Sequence, residues 1–206
     1  MPHILLFCAY FTPSKQTIEW KQHRAGLLGE SPIDSQTELV RAARAGDLDS
    51  FGRLCERYYA PLVAVAYSVL ADHQLAEDAA QEAFARALTN LRKLKNSNKF
   101  APWLAQICRH VAADMARVHR RHTSVEEGPG ETNDRWDDEP VRRVRGAIDH
   151  LPASMKEVVV LRYYNGCSYE QISAVSGVSK RAINGRVTRT RRILARMLRQ
   201  TDAMER

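Results

Sequence analysis

The chain has 206 residues, of which 31 are Lys or Arg and 24 are Asp or Glu, so its formal net charge is +7. This length allows one ordinary domain or two small ones, and a hydrophobic fraction of 44% is enough to bury a core. No apolar run approaches the roughly 18 residues that a membrane-spanning helix needs. The four cysteines are too few and too scattered for a disulfide framework, which predicts a reducing, cytoplasmic compartment. The basic excess favours a polyanionic partner.

The charge is distributed unevenly along the chain. Residues 36–122 carry 13 basic and nine acidic side chains, and residues 141–206 carry 14 basic and five acidic ones. Residues 123–140 between them have a net charge of −6 and contain two glycines and two prolines. Such a segment cannot bury apolar surface, so it predicts an acidic flexible linker between two loosely coupled domains. Residues 1–35 are predicted to be a poorly ordered N-terminal extension.

The first basic block is predicted to be a helical bundle. Ser35 begins a capping box, and the first helix should run to Ala45. In the helices that follow, apolar residues recur at spacings of three and four, and no segment alternates with period two over a useful length. The fourth helix should begin at Phe100 and end near Arg121. Its predicted buried residues are Phe100, Trp103, Leu104, Ile107, Val111, Met115 and Val118.

The third predicted helix, from about Leu75 to Lys93, has an alanine-rich apolar face and an acidic outer face. Asp78, Gln81 and Glu82 point away from the apolar residues. An acidic strip on a basic domain repels DNA, so it favours a protein partner. The alternative is that the strip only keeps the surface soluble.

A sparse basic face is predicted opposite the buried stripe of the fourth helix. The loop before this helix is polar and basic, a composition that suits contact with a nucleotide. An ordinary exposed face is the alternative interpretation. The candidate residues on the loop and the helix are Asn96, Ser97, Lys99, Arg109, Arg117 and Arg120.

The second basic block contains the pattern of a helix-turn-helix, a short helix at 168–175 followed by a Gly-centred turn and a long basic helix. The long helix has an apolar stripe from Ile183 to Met197 and an arginine-rich opposite side. In this motif the first residues of the second helix meet base edges, and later arginines mostly meet phosphates. The predicted DNA contacts are Ser179, Lys180, Arg181, Asn184, Arg186, Arg189 and Arg192.

Several of these segments resemble bacterial sigma factors, and the group IV, or extracytoplasmic-function (ECF), class matches best. Residues 76–84 resemble the polymerase-binding helix of that family, and residues 100–104 resemble the start of its promoter-melting helix. Residues 151–179, with Arg186, Arg189, Arg191 and Leu194, resemble its second domain. The similarity extends over roughly residues 36–200, in the family's order and with an acidic linker in between.

The resemblance implies an all-α protein with two small helical domains, sigma domain two at 36–122 and sigma domain four at 141–206. It implies a transcription initiation factor that binds core RNA polymerase, with Asp78, Gln81, Glu82 and Phe84 as the contacts. The loop and basic face of the first domain would then recognise and melt the −10 element. The helix-turn-helix would recognise the −35 element.

The same resemblance sets the expected partners, which are core RNA polymerase, promoter DNA and an anti-sigma factor of a kind that can be membrane-bound. No small-molecule substrate, cofactor or metal is expected, and the protein should act by binding and not as an enzyme. The alternative is a stand-alone helix-turn-helix regulator, which has no need of the acidic strip on the third helix.

The sequence departs from the family pattern in the helix-turn-helix. Ser173 stands where the family usually has alanine, and Asn184-Gly185 replaces a basic residue followed by serine. A glycine inside a helix costs about 1 kcal/mol relative to alanine.

Overall fold

The computed structural model describes residues 35–123, 144 and 146–204. Almost all of the predicted N-terminal extension at 1–35 and of the predicted linker at 123–140 lies outside these residues. Every regular element in the described ranges is helical, which confirms the predicted all-α fold class. The chain divides into two compact units, Met1–Leu54 and Cys55–Arg206.

In the first unit, helix α1 spans Gln36–Ala45. The side-chain oxygen of Ser35 accepts a hydrogen bond from the backbone N–H of Glu38, which confirms the predicted cap. The helix ends at Gly46, whose φ of 107° is left-handed and favours glycine. Helix α2, Leu48–Leu70, begins here with a bond from the Asp49 N–H to the side chain of Asp47.

The N-terminal half of the second unit contains the rest of α2, helix α3 (His73–Asn90) and helix α4 (Phe100–Thr123). Helix α3 begins two residues before the predicted start because the Asp72 side chain accepts a hydrogen bond from the Leu75 N–H at 2.8 Å. Two short 3₁₀ turns, Leu91–Lys93 and Ser97–Lys99, connect α3 to α4.

Helices α3 and α4 pack against each other, and both carry many small buried side chains. The inner face of α3 is almost entirely alanine, and on α4 the side chains of Ala105, Cys108 and Ala112 are fully buried. The predicted burial of Val118 is wrong, since this residue is 52% exposed near the far end of α4.

The C-terminal half of the second unit contains helix α5 (Ala153–Val159), a π-helical turn (Val160–Tyr164), helix α6 (Tyr169–Ser176) and helix α7 (Lys180–Met204). Ser168 and Gln171 form a reciprocal capping box at the start of α6. Helix α7 packs on α5 and α6. Its buried contacts are Ile183, Val187 and Thr190, while Leu194 and Met197 of the predicted stripe are half-buried.

The two halves of the second unit are in direct contact, because α4 packs against α6. This arrangement differs from the loose coupling that the linker composition predicts. The contact between the halves is made by side chains on the helices. The composition of the linker carries no information about those helix surfaces.

Candidate functional site

Helix α3 presents its acidic strip on the side away from α4. Asp78 is exposed, while Gln81 and Glu82 are half-exposed. Glu82 is joined one turn later by Arg86, whose Nε lies 2.7 Å from the Glu82 carboxylate. Phe84, also predicted as a polymerase contact, is only 3% exposed and belongs to the buried side of the helix. Three of the four predicted residues therefore lie on one accessible surface.

The polar loop before α4 is organised by Asn96. Its side-chain oxygen accepts a hydrogen bond from the Asn98 N–H at 3.0 Å and so begins the 3₁₀ turn Ser97–Lys99. Asn96 and Lys99 are exposed, and Ser97 is half-buried. The loop thus holds a fixed polar edge at the N-terminus of α4, next to the predicted basic face.

The three predicted arginines of α4 have different surroundings. Arg117 is exposed and pairs with Asp114 on its own helix at 2.7 Å, and Arg120 is exposed with its Nε bonded to a backbone oxygen one turn earlier. Arg109 is instead half-buried and binds Glu157 of helix α5. Its Nε and Nη2 donate to the two carboxylate oxygens at 2.8 and 2.7 Å. These hydrogen bonds hold the pKa of Arg109 above its ordinary value.

The helix-turn-helix turn contains a left-handed glycine, Gly177, with a φ of 71°. A side-chain bond crosses this turn, because the Ser173 hydroxyl donates to the Val178 carbonyl oxygen at 2.6 Å. The residue that departs from the family alanine therefore links α6 to the backbone just before α7. From the sequence, Ser173 could be recognised only as a difference from the family alanine. No sequence pattern indicated that its hydroxyl would bond across the turn.

The first residues of α7 form an accessible polar surface. Ser179, Lys180, Arg181 and Asn184 are exposed. Lys180 forms an ion pair with Glu170 of α6, and this hydrogen bond lowers the pKa of the Glu170 carboxyl. Farther along the helix, Arg189 and Arg192 are exposed and Arg186 is half-buried. All seven residues predicted to contact DNA are therefore at least partly accessible, and they are spread around the solvent-facing side of α7.

These surfaces are suited to binding. Burial raises the pKa of the Cys55 and Cys108 thiols to about 12, so neither is a thiolate nucleophile at neutral pH. Within the described ranges, no cluster of three or more His, Cys, Asp or Glu side chains has the arrangement of a metal site. None of the helices in these ranges is long and apolar enough to cross a membrane.

Two family models match the chain. Sigma-70 region 2 matches residues 54–122, and Sigma-70 region 4 matches residues 142–194. The ECF RNA polymerase sigma factor EcfG of Rhodopseudomonas palustris is 30% identical over 146 residues, which cover 66% of this chain and 78% of EcfG. The chain belongs to the ECF sigma factors. The recognition made from its motifs is confirmed.

Two other sigma factors show how much of each relative this ECF sigma factor covers. The probable sigma factor RfaY of Xanthomonas campestris is 30% identical over 75% of this chain, but the chain spans only 41% of RfaY. CnrH of Cupriavidus metallidurans has a solved structure in complex with the cytosolic domain of CnrY. The match to this structure has a TM-score of 0.56 and 26% identity, and it covers 81% of this chain and 99% of that one.

Proposed function

We propose that this ECF sigma factor binds core RNA polymerase and directs it to promoters by recognising a −10 and a −35 element. The observation that carries the proposal is the presence of two different surfaces on one chain. Helix α3 offers an acidic strip, and helix α7 offers a basic face behind a helix-turn-helix turn. One surface suits a protein and the other suits DNA, so the chain acts by binding and not by catalysis.

The polymerase contact is assigned to Asp78, Gln81 and Glu82. Their backbone is held rigid by the alanine face of α3 on α4, so the three side chains are presented without a large loss of conformational entropy on binding. Phe84 supports this surface from inside, because its ring is buried. Arg86 restrains the Glu82 side chain through their ion pair.

The −10 contact is assigned to the loop at Asn96–Lys99 and to the outer face of α4. The exposed Asn96 and Lys99 offer an amide and a cation to a base extruded from the duplex. Arg117 and Arg120 supply positive charge for the phosphates beside it. Flipping a base costs a few kcal/mol, which is smallest where the DNA unpairs easily. This surface therefore suits a sequence that melts readily.

The −35 contact is assigned to the first turns of α7. Arg181 and Asn184 have the forked donor geometry that recognises guanine and adenine edges in the major groove, and Ser179 and Lys180 lie beside them. Arg186, Arg189 and Arg192 follow along the helix and are assigned to phosphates. The Ser173 hydrogen bond spans the turn between α6 and this helix.

A regulatory partner is also proposed. CnrH, whose fold this chain shares over 81% of its length, was solved with the cytosolic domain of CnrY. An anti-sigma factor that occupies the polymerase-binding and DNA-binding surfaces would hold this chain inactive in the cytoplasm. Its release would then free both surfaces together.

The test is reconstitution with core RNA polymerase. The tagged full chain should retain core polymerase in a pull-down, and the mixture should give runoff transcripts from specific genomic fragments that core polymerase alone does not produce. Tight, sequence-specific binding to the same fragments by the chain alone, with no retention of polymerase, would instead identify a stand-alone regulator.

A further inference from the structure

We propose that Ser173 is a positioning residue for recognition of the −35 element. Its hydroxyl holds the backbone just before α7, so that the first residues of this helix keep the alignment that base contacts need. The inference rests on the proposed function, since it concerns the helix assigned to the −35 element. It goes beyond that function because Ser173 lies on α6, outside the residues assigned to DNA.

The Ser173 hydroxyl makes a different contact from most serines inside helices. Such a hydroxyl commonly bonds back to a carbonyl three or four residues earlier in its own helix. Here it bonds forward instead, to the carbonyl oxygen of Val178 at 2.6 Å, two residues beyond the last residue of α6. Ser173 and Val178 are both half-buried, so water competes for this bond less than it does on an open surface.

The Val178 carbonyl lies outside the hydrogen-bond ladder of α7. That ladder begins one residue later, where the Ser179 carbonyl accepts from the Ile183 N–H at 3.0 Å. A half-buried carbonyl outside a helix needs a donor from elsewhere, and the Ser173 hydroxyl is that donor. An alanine at position 173 would leave this carbonyl to water, so the serine is what ties it to α6.

Both polar groups of the Val178 backbone are held by side chains of α6. Its N–H donates to the Ser176 hydroxyl at 3.4 Å, and its carbonyl accepts from Ser173. The preceding residue, Gly177, donates its N–H to the Ser173 carbonyl at 3.0 Å and has a left-handed φ of 71°. The next residue, Ser179, is the first one assigned to DNA. The Ser173 bond therefore acts on the peptide that leads directly into the base-reading segment.

The first turns of α7 depend on this restraint because of Gly185. Arg181 and Asn184, the residues assigned to base edges, lie before this glycine, which is an exposed position inside the helix. Glycine loses more conformational entropy in a helix than any other residue, so it lowers the stability of the helix around it. The helix therefore holds the segment before Gly185 less firmly, and the turn supplies the missing restraint. The two departures from the family pattern, at Ser173 and at Asn184-Gly185, thus compensate for each other.

Base contacts depend on this alignment more strongly than phosphate contacts do. A bidentate bond to a base edge needs two short, nearly linear hydrogen bonds at once. The arginines assigned to phosphates make contacts that depend mainly on charge, and their long side chains adjust to small displacements. Loss of the Ser173 bond should therefore reduce the preference for the best −35 sequence. The affinity for unrelated DNA and the salt dependence of binding should stay the same.

The size of the loss follows from the population of the aligned turn. One net intramolecular hydrogen bond changes an equilibrium by a factor of roughly two to ten. Sequence-specific affinity falls in proportion to the aligned fraction, as for any complex that needs one of two conformations. The ratio of specific to non-specific affinity should therefore fall roughly two- to tenfold in Ser173→Ala.

The test compares holoenzymes that contain the full-length wild-type or variant chain. They bind promoter fragments from the runoff assay whose −35 positions have been randomised. Sequencing of the bound and free fractions gives the ratio between the affinity for the preferred sequence and the library median. Ser173→Ala should lower this ratio roughly two- to tenfold, with an unchanged slope of affinity against salt concentration. Ser173→Thr keeps the hydroxyl and should keep the wild-type ratio.

Two further variants separate positioning from a general loss of stability. Ser68→Ala removes a hydroxyl that donates to the Val65 carbonyl at 2.7 Å within α2, so it deletes a similar bond away from α7. The affinity ratio should not change in this control. Gly185→Ala strengthens α7, so the effect of Ser173→Ala should be smaller in the Gly185→Ala background than in the wild-type chain.

Four results would contradict the positioning role. They are an unchanged ratio in Ser173→Ala, an equal fall in Ser68→Ala, an equal fall in Ser173→Thr, and a fall of the same size in the Gly185→Ala background. Circular dichroism identifies a variant that has unfolded. Ser173→Cys, which has nearly the same size and a weaker donor, then gives the test with a smaller expected fall.

Failure of the proposed function is a separate result, because it would appear as no polymerase-dependent binding or transcription. The affinity ratio is then measured with the full chain alone on a fully randomised duplex library, where Ser173→Ala should lower it in the same way. A chain that selects no sequence either alone or with polymerase would overturn both proposals.

Discussion

Gly185 is an exposed residue inside helix α7, and its substitution by alanine should stabilise the protein. A Cβ atom at this position meets nothing within 4 Å, so only the helix preference of the backbone changes. Gly185→Ala should raise the free energy of unfolding by about 1 kcal/mol, measured by urea denaturation. Gly52→Ala is the control, because Gly52 lies inside α2 with equally open space. A gain at Gly52 with a loss at Gly185 would show that the glycine has a structural role in α7.

Arg181 and Arg192 are exposed arginines of α7 that should contribute differently to promoter binding. Arg181 should contact bases, and Arg192 should contact a phosphate and so position the helix. Arg181→Ala should cost about 1–3 kcal/mol at particular promoter positions and little at others, because a bidentate contact to a base edge is lost. Arg192→Ala should weaken all sequences alike and reduce the salt dependence of binding, because a phosphate contact is lost. Binding of both holoenzymes to a −35 library measures the difference. Uniform losses for both variants would contradict the division.

The chemistry of single residues could be predicted from the sequence, but their partners could not. Helical periodicity correctly predicted that Asp78 and Arg181 are exposed. It also placed Arg109 on an outer face, yet this side chain is covered by Glu157 from a helix 48 residues later in the chain. Periodicity describes one helix at a time, so it carries no information about which other helix covers a position. The assignment of Arg109 to DNA remains a prediction.

Reversing the charge on the outer face of helix α3 should prevent it from binding core RNA polymerase. Asp78→Lys with Glu82→Lys should abolish retention of core polymerase in a pull-down while the helical circular dichroism is unchanged, because the buried alanine face is not altered. The control is Asp149→Lys with Glu170→Lys, which changes net charge equally at exposed positions in the C-terminal half. Undiminished retention of polymerase by the α3 variant would show that the acidic strip serves solubility.

Helix ends could be predicted where a capping side chain marks them. Ser35 and Ser168 begin helices in the structure as their sequence patterns indicate. Not every helix end is marked in this way: the α-helix that begins at Ala153 ends at Val159, and a π-helical turn follows it to Tyr164. No local residue preference distinguishes these two geometries. Tyr164 of this turn stacks on Tyr67 of α2, with ring centroids 5.1 Å apart, and residue preferences within the turn cannot predict such a contact.

At the scale of the whole molecule, residues 55–204 should unfold as one cooperative unit in the free chain. Helix α4 packs on α6, and the Arg109–Glu157 pair links α4 to α5, so separating the two halves exposes surface on both. The composition of residues 123–140 predicts the opposite, because a flexible acidic linker leaves domains to unfold independently. The contacts between helix surfaces favour cooperative unfolding. The composition of the linker does not predict that these surfaces fit together.

Scanning calorimetry of the full-length chain distinguishes the two behaviours. The wild-type protein should give one transition whose calorimetric and van't Hoff enthalpies agree. Glu157→Ala leaves Arg109 half-buried without its partner, so it should cost about 3–5 kcal/mol and separate the transition into two, one for each half. The double variant Arg109→Leu/Glu157→Leu removes both charges and should recover a single transition, since apolar side chains of similar volume often replace a buried ion pair without loss. Two separate transitions in the wild-type protein would show that the halves are not coupled, and the ion pair would then have no role beyond its own helices.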